Sequence, residues 1–333
     1  MNGKATVLSW CVSGVCLLLL LPSMAVAKQV ILVIESYHAE YPWDASYKKG
    51  LEEVLGREYE LRYFEMNTKQ LPPEEHARRA DMAWKLYQDV RPALVVLGDD
   101  AALKFLGPRF LQTQTPCVYL GVNANPREYI ENGRNVTGVL ERPLFLRNIV
   151  FLKSILPRQF RKALVLFDTD ITSRVLADEP FGGKGIMDIS GVQVELRLIG
   201  QLDQWKRAVL DAKANGYDVI IVGLYHTIVD SDGKHVDSEE ILHWTSENSP
   251  VPLFGFWDFA VGPKATAGGM VLFGEVQGRM AGEIARTILS GTPPGQILPV
   301  IGEQGRFLFS RSQLAKWGLT LPKDISDRAE FVE

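Results

Sequence analysis

The chain has 333 residues, 46% of them hydrophobic and 23% charged, with a formal net charge of −4 and three cysteines. Acidity this mild and evenly spread offers no basic patch for nucleic acid and no polybasic membrane anchor. The length exceeds what one core usually fills and predicts two lobes of ordinary size.

Residues 1–27 read as a secretory signal peptide. Lys4 gives a positive start, VLSWCVSGVCLLLLLP (7–22) an apolar centre, and Ala25-Val26-Ala27 a small-x-small cleavage site before Lys28. The rival readings are an uncleaved anchor helix and a lipoprotein signal. The apolar run nearly spans a bilayer, but the small-residue site argues for cleavage after Ala27. Neither Cys11 nor Cys16 follows the residues expected before a lipidated cysteine. Loss of the leader removes Lys4 and no acidic residue, so the charge moves from −4 to −5 and one cysteine, Cys117, remains. An exported chain with one cysteine has no internal disulfide and must be held by its core.

Short β-branched runs then alternate with helical stretches. QVILVIES (29–36) predicts a strand, WDASYKKGLEEVLG (43–56) an amphipathic helix, YELRYFEM (59–66) a strand, and PPEEHARRADMAWKLYQDVR (72–91) a long helix. ALVVLGDD (93–100) and PCVYLGVN (116–123) are strands, FLRNIVFLKSILP (145–157) a helix, KALVLFDTD (162–170) and VQVELRLIG (192–200) strands. LDQWKRAVLDAKANG (202–216) is a helix, YDVIIVGLYH (217–226) a strand, SEEILHWTSEN (238–248) a helix and VPLFGFWDF (251–259) a strand. After the glycine-rich GPKATAGG (262–269), which reads as a flexible crossing between lobes, come a strand, GMVLFGE (269–275), and a helix, VQGRMAGEIARTILSG (276–291). Near-continuous apolar strands alternating with helices indicate an α/β protein of parallel sheets covered on both faces.

Almost every strand ends in polar or aromatic residues: ESYH, GDD, GVNANP, FDTD, LYHT, FWDF and FGE. Ligands of open parallel sheets bind beyond the carboxyl ends of the strands. Seven such ends are too many for one small lobe, whereas two lobes facing across a cleft would use them all.

SYHAEYPWD (36–44), VVLGDDAAL (95–103), PCVYLGVNANP (116–126), NVTGVLE (135–141) and the tail from MVLFGE (270–275) to GLTLP (318–322) resemble the ABC-transporter substrate-binding family related to tryptophan- and tyrosine-binding lipoproteins. Similar modules serve as extracellular sensor domains of histidine kinases and diguanylate cyclases, and the opening stretch is closer to those. The resemblance implies a type I periplasmic-binding-protein fold of two Rossmann-like lobes joined by a three-segment hinge. It places crossings near Glu141, Gly268 and Pro293, giving one lobe of residues 28–140 and 268–292 and another of 141–267 and 293–333. It further implies a periplasmic monomer that holds a small molecule, with an ABC permease or a membrane sensor as partner and no cofactor.

Candidate ligand-binding residues follow from the strand ends. Ser36, Tyr37 and His38 end the first strand, and Trp43 and Asp44 open the first helix; an aromatic wall suits a ring or a cationic amine. The competing reading makes Asp44 a helix cap. Gly98, Asp99 and Asp100 end the third strand, where a glycine admits close approach and an aspartate either pairs with an amine or caps a helix. Asn123 suits a neutral hydrogen bond or a turn. Asp168 and Thr169, Tyr225 and His226, and Trp257 and Asp258 end strands of the second lobe, and Glu275 opens the last helix, where the helix dipole alone also explains it. An aromatic face beside a carboxylate, as at Trp257-Asp258, matches an ammonium. The five histidines show no metal-ligand spacing, and no GxSxG, P-loop or GxGxxG is present, so no metal and no enzyme activity is expected. The alternative is a cleft hydrolase or lyase using carboxylates and His38.

Overall fold

The computed structural model describes residues 28–131, 134–157, 159–178, 181–302 and 305–333; the expected signal peptide lies outside them. The first half runs β1 (Val30–Glu35), α1 (Pro42–Leu55), β2 (Glu60–Glu65), α2 (Pro73–Val90), β3 (Leu94–Gly98), α3 (Asp99–Phe110), β4 (Cys117–Val122) and β5 (Val136–Leu140). Next come α4 (Phe145–Ile155), β6 (Lys162–Phe167), α5 (Ile171–Asp178), β7 (Ile186–Ile189), β8 (Val192–Leu198), α6 (Leu202–Leu210), β9 (Val219–Val222), α7 (Ser238–Asn248) and β10 (Leu253–Gly255). The tail holds β11 (Gly268–Val271), α8 (Gly274–Leu289), β12 (Val300–Ile301), β13 (Arg306–Ser310), α9 (Arg311–Lys316), α10 (Lys323–Ser326) and β14 (Glu330–Val332).

Hydrogen bonding sorts these strands into three sheets, of order β12-β5-β4-β3-β1-β2, β10-β9-β6-β8-β7 and β11-β13-β14. The first is parallel throughout, and the second is parallel apart from its β7 edge. Strands β3 and β4 are buried at every residue, as a sheet covered on both faces requires. In each large sheet the chain order reverses beside the first strand, between β1 and β3 and between β6 and β9. Those are the topological switch points where open α/β sheets place ligands. One buried apolar cluster runs across both lobes, joining Tyr37, Tyr41 and Trp43 of the first to Phe254 and Trp257 of the second. No helix among the described residues is long and apolar enough to cross a membrane.

Strand pairing shows which sheet the segments near the implied crossings join. Strand β11 pairs with β13 beside β10, and Leu272 continues the pairing with Trp257. Strand β12, beyond Pro293, pairs with β5 of the first sheet through residues 300–301. In GPKATAGG, Ala265 to Gly269 are buried, and Pro263 and Lys264 are exposed. Its glycines serve close approach. Gly268 and Gly269 have φ +115° and +149°, and a Cβ on Gly269 would sit 3.0 Å from both Asn148 Oδ1 and the Gly255 carbonyl.

Helix α8 packs lengthwise on α1, and glycine makes that contact possible. A Cβ on Gly278 would collide with the Tyr47 carbonyl, and one on Gly50 with the Glu275 carbonyl. Gly278→Ala should therefore lower stability by about 1–3 kcal/mol, although alanine is the better helix former. Urea unfolding measures this; a gain in stability would show that the helices are not in contact there.

Candidate functional site

The two switch points face each other. From the first lobe, the β1 end brings Tyr37 and Tyr41, α1 brings Trp43, the start of α3 brings Asp99, and the β4 end brings Asn123. The second lobe adds Thr172 at the start of α5, Leu224 beyond β9, and Trp257 and Phe259 beyond β10, while Glu141 comes from the first crossing. Together they enclose a cavity of about 10 Å³, room for one water molecule. Anything larger needs the lobes to part.

The wall combines aromatic rings with two carboxyl groups. Tyr37 and Tyr41 meet edge to face at 4.6 Å, and Trp257 stacks on Phe259 at 6.0 Å. Tyr37 Oη donates to Asp99 Oδ1 at 2.6 Å, and Thr172 Oγ1 lies 3.1 Å from Asp99 Oδ1 and 3.2 Å from Asp100 Oδ2, linking the lobes. Trp257 Nε1 donates to Glu141 Oε1 at 2.7 Å across the cleft. Asp99 has φ +73°, an uncommon conformation for aspartate that aims its carboxyl into the cleft. Beside it Gly121, at φ +68°, bares its backbone. A Cβ there would lie 3.1 Å from Trp43 Nε1, 3.4 Å from Asp99 Oδ2 and 3.6 Å from Glu141 Oε2, so three polar atoms converge on the glycine. The buried Trp43 Nε1 and Asn123 Oδ1 have no hydrogen-bond partner.

Burial dominates the protonation of this cluster. Asp99 is pushed up to about 7 by burial and by Asp100 alongside, despite the hydroxyl donated by Tyr37. Glu141 is held well above the usual carboxylate range by burial and by Asp99. Asp100 reaches about 6, because burial outweighs the N–H groups of Ala124 and Asn123 that donate to it. Two desolvated acids facing each other favour protons or a cation.

Outside this cavity lies a crevice of about 650 Å³ between the lobes, lined by the 68–73 loop, His76, Lys104 and Phe105 on one side and by Thr169 to Ile171, Arg174 and His235 on the other. Lys69 and Asp170 separate the two spaces. Lys69 Nζ is 2.7 Å from Asp170 Oδ2, with side chains 1% and 6% exposed, and stands 4.6 Å from the Tyr37 ring centre and 5.6 Å from that of Tyr41.

Of the residues proposed from sequence, Tyr37, Trp43, Asp99, Asn123 and Trp257 line the inner cavity. The others do not. Ser36 Oγ donates to the Gly98 carbonyl at 2.5 Å and accepts from Ala102 N, tying β1 to α3. Gly98 makes room for the Tyr47 hydroxyl, not a ligand: a Cβ there would lie 2.5 Å from it. Asp100 accepts from Asn123 N and Ala124 N, and Asp168 from His226 N, Thr227 N and Asp170 N; both brace loops. Asp44 is fully buried within α1, whose cap position is Tyr41, and burial with Glu35 and Asp99 nearby holds its carboxyl well above the usual range. His38 is half-buried beside Gln70. Tyr225 packs in the second lobe's own core, stacked on His226 at 4.2 Å. His226 abuts Tyr41 edge-on at 4.6 Å behind the cavity wall. Thr169 faces the outer crevice. Asp258 accepts from Phe259 N at a helix start, and Glu275 pairs with Lys49 and Arg279. Sequence reasoning missed Tyr41, Lys69, Asp170, Thr172, Leu224 and Phe259, and read Glu141 only as hinge. Tyr41 and Phe259 sit within stretches already singled out, whereas Lys69 carries no local signal.

Among the described residues, no group of three His, Cys, Asp or Glu side chains is placed to hold a metal ion. No protein-family model matches the sequence, and a search of curated proteins gives no match. Solved structures do resemble it. An ABC domain from Streptococcus pneumonia in complex with L-Trp superposes with TM-score 0.66 at 16% identity, covering 92% of this chain and 100% of that one. A conserved domain protein from Vibrio cholerae gives 0.64 at 16% identity, covering 92% and 100%. The ligand-free, open structure of CD0873, a substrate-binding protein with adhesive properties from Clostridium difficile, gives 0.64 at 14% identity, covering 92% and 99%. The chain has the type I periplasmic-binding-protein fold. Identities this low show the fold alone, and the ligand has to be argued from this chain's own residues. The inner cavity sits at the switch points of both sheets, where each lobe supplies one wall.

Proposed function

We propose that the chain is an exported solute-binding protein that closes its two lobes on a small amine-bearing molecule, an amino acid or a related aromatic amine, and presents it to an ABC permease. The observation that carries this reading is the pair of carboxyls, Asp99 and Glu141, inside an aromatic enclosure built by both lobes. An ammonium would neutralise the acids and lie against ring faces, which favours cations by about 0.5–2 kcal/mol each. Closure follows because contacts from both walls exist only when the lobes meet, so the ligand binds the closed form more tightly. A membrane histidine kinase or cyclase is the second partner class, favoured by the resemblance of Ser36 to Trp43 to sensor modules.

A thermal-shift screen against amino acids, amines and purines tests the reading. A true ligand raises the melting temperature by mass action and is recovered chemically unchanged. Trp257→Phe, which loses the bond to Glu141, should weaken the hit about tenfold, equivalent to about 1.4 kcal/mol. Conversion of the hit to product would replace binding by catalysis, and an unchanged affinity would remove Trp257 from the site.

A further inference from the structure

Resting on that reading, we infer that the ligand is an organic monocation without a carboxylate: an amine, free or methylated, on an apolar or aromatic body. The first observation is charge. The inner cavity presents the carboxyls of Asp99 and Glu141, and no lysine, arginine or histidine among the described residues lines it. The two cations beside it are already engaged. Lys69 is held by Asp170, and the Arg142 guanidinium donates to the carbonyls of Val122, Asn123 and Glu141 at 3.1, 2.7 and 2.6 Å.

The second observation concerns backbone N–H groups, the other means by which a strand-end cleft holds an anion. Here the protein's own side chains occupy several of them. Asn123 N and Ala124 N donate to Asp100, Asp100 N donates to Asp99, and His226 N and Thr227 N donate to Asp168. Internal carboxylates thus occupy backbone donors at both switch points, and a ligand carboxylate would enter desolvated and beside like charges.

The acceptors around Gly121 suit a cation. Asp99 Oδ2 and Glu141 Oε2 converge on bare Gly121, and the buried Asn123 Oδ1 offers a further acceptor. The buried donor Trp43 Nε1, which has no partner, is neutral and fits a hydroxyl, ether or carbonyl of the ligand. The raised protonation of Asp99 and Glu141 agrees, since an entering ammonium would displace protons these acids otherwise keep.

Calorimetry with matched probes on the signal-free protein, tryptamine against L-tryptophan and tyramine against L-tyrosine, tests the inference. The amine of at least one pair should bind at least tenfold more tightly than its amino acid. Glu141→Gln, similar in shape, should shrink that ratio severalfold while leaving the melting temperature of the free protein no lower. An amino acid that binds as tightly as its amine, or a ratio unmoved by Glu141→Gln, overturns the inference and leaves solute binding standing. If no probe and no compound of the wider screen binds the folded protein, the solute-binding reading fails and this one with it.

Discussion

Replacing Lys69 with methionine is expected to lower the unfolding free energy by about 3–5 kcal/mol, the usual consequence of removing one partner from a buried ion pair. Lys69 stands between β2 and α2 in the first lobe, and Asp170 precedes α5 in the second, so the pair is a bond between lobes. Burial alone would lower the Lys69 ammonium, but Asp170 and Asp168 hold it above its ordinary value. Without it, Asp170 remains desolvated beside Asp168, which also depends on the Lys69 charge. Opening the lobes rehydrates both carboxylates, so the loss falls on the closed form. Small-angle scattering should show a larger radius of gyration for the variant, and urea unfolding should show the lost stability. The double variant Lys69→Met with Asp170→Leu should recover most of it, because no buried charge is left alone. A single variant as stable and as compact as the parent would mean that the pair does not hold the lobes together.

The strands that sequence located best, β1, β3, β4, β6 and β9, are those whose apolar runs are nearly unbroken, because sheets covered on both faces leave no polar alternation to confuse the pattern. It missed β5, VTGVL, where Gly138 interrupts the run. That glycine is required because a Cβ would strike the Tyr119 carbonyl of the neighbouring strand. It also missed α5, eight residues long with half of them buried, too short to display a helical period. The rule that ligands gather at strand ends led to Tyr37, Trp43, Asp99, Asn123 and Trp257, all on the cavity wall. The same rule led to Ser36, Asp100 and Asp168, which sit at those ends and turn inward to brace the loops. Position along a strand tells which end a residue occupies; whether its side chain spans the cleft or secures a loop depends on partners such as Thr172, 72 residues from Asp100. Lys69 is the extreme case, since its partner lies 101 residues away in the other lobe.

Raising the pH from 5 to 8 is expected to destabilise the ligand-free protein, with Asp99 and Glu141 as the main cause. A carboxyl whose folded-state value is raised keeps a proton that the unfolded chain has released above about pH 4. The folded state then binds more protons, and stability falls as pH rises toward the folded value. For Asp99 the window runs from 3.8 to about 7, and at about 1.4 kcal/mol per unit it spans a few kcal/mol. Asp100 adds a window ending at about 6, and Glu141 and Asp44, both held well above the usual carboxylate range by burial, act in the same sense. His226 acts in the opposite sense. Burial and the Lys69 charge keep it neutral in the fold, so below about 6.5 the unfolded chain takes up a proton that the folded state refuses. Its contribution grows as pH rises to that point and then stops, so it offsets part of the fall below about 6.5 and none of it above. Asp168, held low by Lys69 and its hydrogen bonds against the effect of burial, loses stability only on the acid side of about pH 4. Melting temperatures at constant ionic strength from pH 5 to 8 measure the slope, and Asp99→Asn should flatten it. Tryptamine should flatten it as well, because an ammonium between Asp99 and Glu141 favours their ionised forms and gains affinity as they lose protons. A melting temperature that climbs steadily to pH 8 would mean that these acids are charged in the fold, with a counter-ion already beside them.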